Sequence, residues 1–156
     1  MPATVDRVAP IVQHRDSDAR VTEAVKLLEE AWDARGSQDY DRALLLYERV
    51  AAYGDLALSA RARLGRALLL YQTGASSQAI VELEGERILT REFPEADAAL
   101  AAMLWVERPD QRAQAESLWD GALHLDSRLS TLDFVAGARR WPPRLVKALD
   151  RFLLLS

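Results

Sequence analysis

Three segments of the chain align without gaps at a fixed period, and that period narrows the fold more than any other feature. They are "DYDRALLLYERVAAYGD" from Asp39, "ASSQAIVELEGERILTR" from Ala75 and "QRAQAESLWDGALHLDS" from Gln111. Ala43, Ala79 and Ala115 recur every 36 residues, and one helical turn later come Tyr47, Leu83 and Trp119. Residues four apart share a helix face, so each unit offers a small residue and a bulky one to the same neighbour. A small residue lets two helices cross closely, and the apolar face that remains can be buried only on the next pair.

Each segment follows a second helical pattern. The first, "VTEAVKLLEEAWDARG", has Val25, Leu28 and Trp32 at helical spacing and Gly36 as a stop; "SARARLGRALLLYQTG" stops at Gly74; "PEADAALAAMLWVERPD" starts at Pro94 and ends before Pro109. Proline inside the start and glycine past the end follow the asymmetry of helix termini. The pattern predicts three antiparallel pairs over residues 18–127.

Composition mainly excludes. With 49% hydrophobic residues over 156 positions, one continuous core is within reach. Cys 0 removes thiol chemistry, and His14 and His124 are too few for an imidazole metal site. The longest apolar run, residues 98–106, is about half of the roughly 20 residues that a membrane span requires. The opening "MPATVDRVAPIVQHRDSD" lacks the basic start and apolar centre of a secretory signal, and residues 1–17 are expected to form a flexible arm. There is no glycine-rich phosphate cradle, nucleophile elbow or paired helix histidine. The acidic runs "VELEGE" and "EFPEAD" fall where carboxylates are easily solvated. Neither an enzyme nor a cofactor is expected.

The formal net charge of -4 is unevenly spread: residues 127–156 carry +4 and the remainder −8. An acidic body repels nucleic acid, while the basic end offers one place for an acidic protein or an anionic lipid surface.

"DYDRALLLYERVAAYGD" and "AQAESLWDGALHLDS" resemble the second helix of a tetratricopeptide repeat, with alanine at the crossing, an aromatic four later and an apolar residue three beyond, here Val50 and Ala122. Repeat two differs, with Glu86 at that last position and Gly85 inside the helix, and all units are two residues longer than the usual 34. The resemblance implies an all-α, right-handed solenoid of about three helix pairs with a two-helix cap over residues 128–156. It also implies a groove formed by the first helix of each pair, with Lys26, Glu30, Asp33, Arg61, Arg66, Tyr71 and Glu107 as candidate partner-binding residues. The chain has no Asn, and Glu30 occupies a clamp position, so capture of a terminal carboxylate is not expected.

The tail "LDSRLSTLDFVAGARRWPPRLVKALDRFL" resembles the end of tetratricopeptide-repeat proteins of cyanobacteria and plastids, which implies a place near thylakoids. Ser130 and Asp133 suggest a capped short helix across "TLDFVAGAR", and Pro142 and Pro143 can open the next one. Leu145, Ala148, Leu149, Phe152 and Leu153 form a stripe able to cover the third repeat, with Trp141 as a packed staple at the corner. Arg139, Arg140, Arg144, Lys147 and Arg151 are then left to face water or a partner. The expected function is a cytoplasmic, non-catalytic protein-protein interaction module, an adaptor or assembly factor for a protein or peptide segment. The alternative is a homo-oligomer or a peripheral membrane-surface tether using the basic cap.

Overall fold

The computed structural model describes residues 2–156, with side chains from residue 18 onward except Leu89. Among the described residues it is all-helical, with no strand. The first helix, α1, runs Pro2–Gly36. The flexible arm expected over residues 1–17 concerns side chains outside the described residues.

On α1, Ala24, Leu27, Ala31 and Ala34 recur every three or four residues and are buried against Ala43, Leu46, Tyr47 and Val50 of α2 (Tyr40–Ala51). Helix α1 ends at Gly36 as expected, although the glycine itself does not take the left-handed position. The left-handed residue is Gln38, at φ 63, where Gln38 N donates to Arg35 O and Asp39 N to Ala34 O. These are the paired bonds that close a helix end. Gly36 is needed for another reason: a Cβ there would lie 2.6 Å from Arg140 Nη1.

Asp55 caps α3 (Leu56–Gln72) by accepting a bond from Leu58 N at 2.9 Å. Gly74, at φ 99, ends it as expected. Mid-helix Gly65 costs about 1 kcal/mol against alanine, but any Cβ would meet the Tyr47 ring at 2.6 Å, so its absence sets the close approach of α2 to α3.

The second repeat is the irregular one. Helix α4 (Ser76–Gly85) stops at the glycine singled out in the sequence, and one further turn, α5 (Arg87–Thr90), follows Glu86. Glu86 is tolerated in place of a small apolar residue because Arg63 of α3 donates to its carboxylate at 2.6 Å. Helix α6 (Pro94–Glu107) starts on Pro94 and is buried without a break from Ala98 to Trp105. It packs on α4, on α7 (Arg112–Leu125) and on α8 (Pro143–Leu155). The three repeat alanines are fully buried, as are Tyr47, Leu83 and Trp119 to within a few percent.

The two-helix cap takes the form of a short helical segment over residues 132–138 and the full helix α8. After a 3-10 turn, Ser127–Ser130, the stretch across "TLDFVAGAR" makes a single wide π turn, Phe134–Ala138. Ser130 does not cap it; its Oγ donates to Ser127 O at 2.9 Å. Leu129 and Val135, both fully buried, anchor the stretch at two points. Helix α8 lays down Leu145, Ala148, Leu149 and Phe152 as expected, and Phe152 meets Trp105 and Trp119 edge-on at 5.1 and 5.2 Å.

Candidate interaction surface

Helix α1 has a second apolar stripe, Val21, Val25, Leu28 and Trp32, turned by about one residue from the buried one. Packing on α2 uses only the first. Val21 and Val25 remain 39% exposed, and Val25, Leu28 and Trp32 form one wall of a cavity of about 620 Å³ between α1, α3 and the start of α6. Leu58, Arg61 and Leu64 line the facing wall, Tyr47 and Gly65 the floor, and Phe93 the mouth. The Arg61 guanidinium lies 5.8 Å from the Phe93 ring centre.

The chain's own C-terminal segment closes one end. Glu95, buried at 6% exposure, accepts from Arg139 Nε at 2.9 Å and from Trp141 Nε1 at 2.8 Å. Arg35 Nη2 holds the main-chain carbonyls of Arg139 and Arg140 at 3.0 and 2.9 Å. Arg140 Nη1 donates to Trp32 O at 2.7 Å. The guanidinium groups of Arg140, Arg35 and Arg139 thus surround one indole, at 4.8, 5.0 and 5.7 Å from the Trp32 ring centre.

A similar arrangement recurs at the end of α3. Arg144 Nη1 donates to Tyr71 O at 2.9 Å, its backbone N–H donates to Gln72 Oε1 at 2.8 Å, and its guanidinium covers the Tyr71 ring at 4.6 Å. Tyr71 donates to Glu107 Oε1 at 3.0 Å. Burial and then the Glu107 carboxylate raise the Tyr71 phenol well above its ordinary pKa.

Arg139, Arg140 and Arg144, expected to be left to face water or a partner, are half-buried and bond within the chain. The Trp32 and Tyr71 carbonyls lie in the last turns of their helices, where the helix dipole is negative and favours an arginine, and Arg139 is held by the Glu95 carboxylate. Lys147 and Arg151 remain exposed. Trp141 is the packed staple anticipated, 3% exposed.

Of the groove candidates, Asp33 and Arg61 line the cavity. Lys26 and Glu30 lie on α1 outside its lining, and Arg66 is bound to Glu82 of α4 at 2.6 Å. Tyr71 is buried, and Glu107 is engaged with it beneath Arg144. Sequence reasoning missed Val25, Leu28, Trp32, Phe93 and Glu95 as surface-forming residues. The detectable signal was the doubled stripe on α1, since a helix with one packing neighbour needs only one apolar face.

Among the described residues no cluster of His, Cys, Asp or Glu is suited to hold a metal ion, and no helix is long and apolar enough to cross a membrane. Comparison with protein-family models, with curated proteins and with solved structures gives no match.

Proposed function

We propose that this chain is a non-catalytic protein-interaction module, a right-handed solenoid of three tetratricopeptide-like pairs that receives an apolar segment of another protein in the groove beside α1. The observation that carries this reading is the second stripe of α1, left open at the mouth of a cavity of about 620 Å³ with Trp32 and Phe93 beside it. Apolar and aromatic side chains in a concave, partly desolvated site are the usual anchors of such contacts. The alternative, a homo-oligomer or surface tether built on the basic end, draws less support, because three of its arginines bond within the chain. A role in assembly beside photosynthetic membranes rests on the tail resemblance alone.

The test is a pull-down from soluble and detergent-solubilised membrane fractions of the source at physiological salt, with wild type, Val25→Glu and Lys147→Glu as baits. A specific protein retained by wild type and by Lys147→Glu, but lost with Val25→Glu, supports the groove. Retention that ignores Val25→Glu and disappears with Lys147→Glu removes that support and favours attachment through the basic end.

A further inference from the structure

A second cleft, of about 780 Å³, lies on the other side of Arg35, between the α1–α2 turn and the C-terminal segment. Its chemistry is unlike that of the apolar groove. Arg35, Arg140 and Lys147 line it against a single carboxylate, Asp33, so the cleft has net charge +2 on a protein whose formal total is -4. Arg35 is 6% exposed; its Nη atoms donate to the Tyr47 hydroxyl and to the carbonyls of Arg139 and Arg140, but its Nε has no hydrogen-bond partner and no carboxylate among the described residues forms an ion pair with it. A buried guanidinium without a counter-charge is costly, and an anion nearby relieves that cost.

Two further observations point to the same place. Arg140, at φ 54, lines this cleft in a backbone conformation that non-glycine residues rarely adopt; Gln38, at φ 63, lines it too, but there the conformation closes the end of α1. Backbone held in that region concentrates where a site needs it. Burial raises the phenol pKa of the lining Tyr40, and the positive charge of the nearby Arg35 offsets part of that rise. The end of α1 brings roughly half a negative charge to the cleft, but the start of α8 at Pro143 brings about as much positive charge, so the helix ends offset one another.

We infer that the cleft between the α1–α2 turn and the C-terminal segment binds a phosphate group, with Lys147 as its exposed contact and Arg35 as the charge behind it. A phosphate monoester carries about −1.5 to −2 near neutral pH, which matches the surplus of the cleft, and planar guanidinium groups suit its oxygens. Tyr40 adds a hydroxyl to the lining, while the Ser37 hydroxyl is already donated to Asp33 O at 2.8 Å. This site does not depend on the groove reading, because it uses none of the apolar stripe.

The experiment is titration calorimetry of the full chain with inorganic phosphate and with pyrophosphate at fixed ionic strength, using sodium chloride as control, beside flotation with neutral vesicles and with vesicles containing phosphatidylglycerol. Saturable binding of pyrophosphate, weakened about tenfold in Lys147→Glu and unchanged in Val25→Glu, is the expected result. Because Lys147 is exposed and makes no hydrogen bond or ion pair with the described residues, the variant's unliganded melting temperature should match wild type, which separates loss of the site from loss of the fold. Binding of the charged vesicles as well, equally sensitive to Lys147→Glu, assigns the phosphate to a lipid headgroup; pyrophosphate binding alone assigns it to a small molecule. Heats no larger than those of chloride, a Lys147→Glu variant that binds as wild type does, or attachment to charged vesicles without pyrophosphate binding would each overturn the assignment.

Discussion

The large hydrophobic cluster, from α3 to α8, buries Tyr71, Trp105, Trp119, Trp141 and Phe152 together with Met103 and a row of leucines. The small one, between α1, α2 and one face of α3, has a single ring, Tyr47, and five alanines among its ten buried residues. Burying a large apolar side chain contributes about 1.5–3 kcal/mol, and an alanine much less. The first pair therefore leans on polar ties, from Arg35 and Arg140 to main-chain carbonyls and from Arg139 to Glu95. The difference teaches which end of the molecule opens first: sub-global opening should free α1 and α2 while α6 to α8 stay closed.

The sharpest way to break the comparison is Phe152→Ala. It removes both edge-on aromatic contacts of α8, and the expected loss is about 3–5 kcal/mol, read from the urea midpoint. A loss below about 1 kcal/mol would mean that α8 is not what holds the large cluster. Next comes Glu95→Gln, which takes the counter-charge from Arg139. Arg139 is 39% exposed and can turn to water, so the cost is about 2 kcal/mol. Hydrogen exchange should then quicken through α1 and α2 and hardly at all in α7. Uniform acceleration would show that the two clusters unfold as one unit. The smallest effect is that of Gly36→Ala, where the new Cβ displaces the end of Arg140. About 1 kcal/mol is expected, confined to the last turn of α1; a neutral or stabilising result would mean that Arg140 contributes little to the tie.

The repeat period made the helix pairs legible, because Ala43, Ala79 and Ala115 mark crossings that any close-packed arrangement must bury. Gly85 likewise announced the break after α4, since glycine weakens a helix wherever it falls. The arginines were misread for a physical reason. Their partners are carbonyls at Trp32 and Tyr71 and the carboxylates of Glu95 and Glu107, all brought near by the fold and by no local spacing. Gly36 was similarly ambiguous: local rules assign it to a helix stop, whereas the close approach of Arg140 from 104 positions away decides its use. The apolar groove was half visible, in the Val25, Leu28 and Trp32 spacing, and Glu95 was hidden inside an acidic run that looked like solvated surface.

The tie between Trp32 and Arg140 spans 108 residues of chain, and that separation is also an interval of time. A ribosome adds such a length in roughly 5–20 s, while a helix pair forms in far less. During synthesis the α1 segment therefore waits for seconds with its indole uncovered and the Trp32 carbonyl without its arginine. Whatever meets the nascent chain in that interval meets a wider groove than the finished molecule presents.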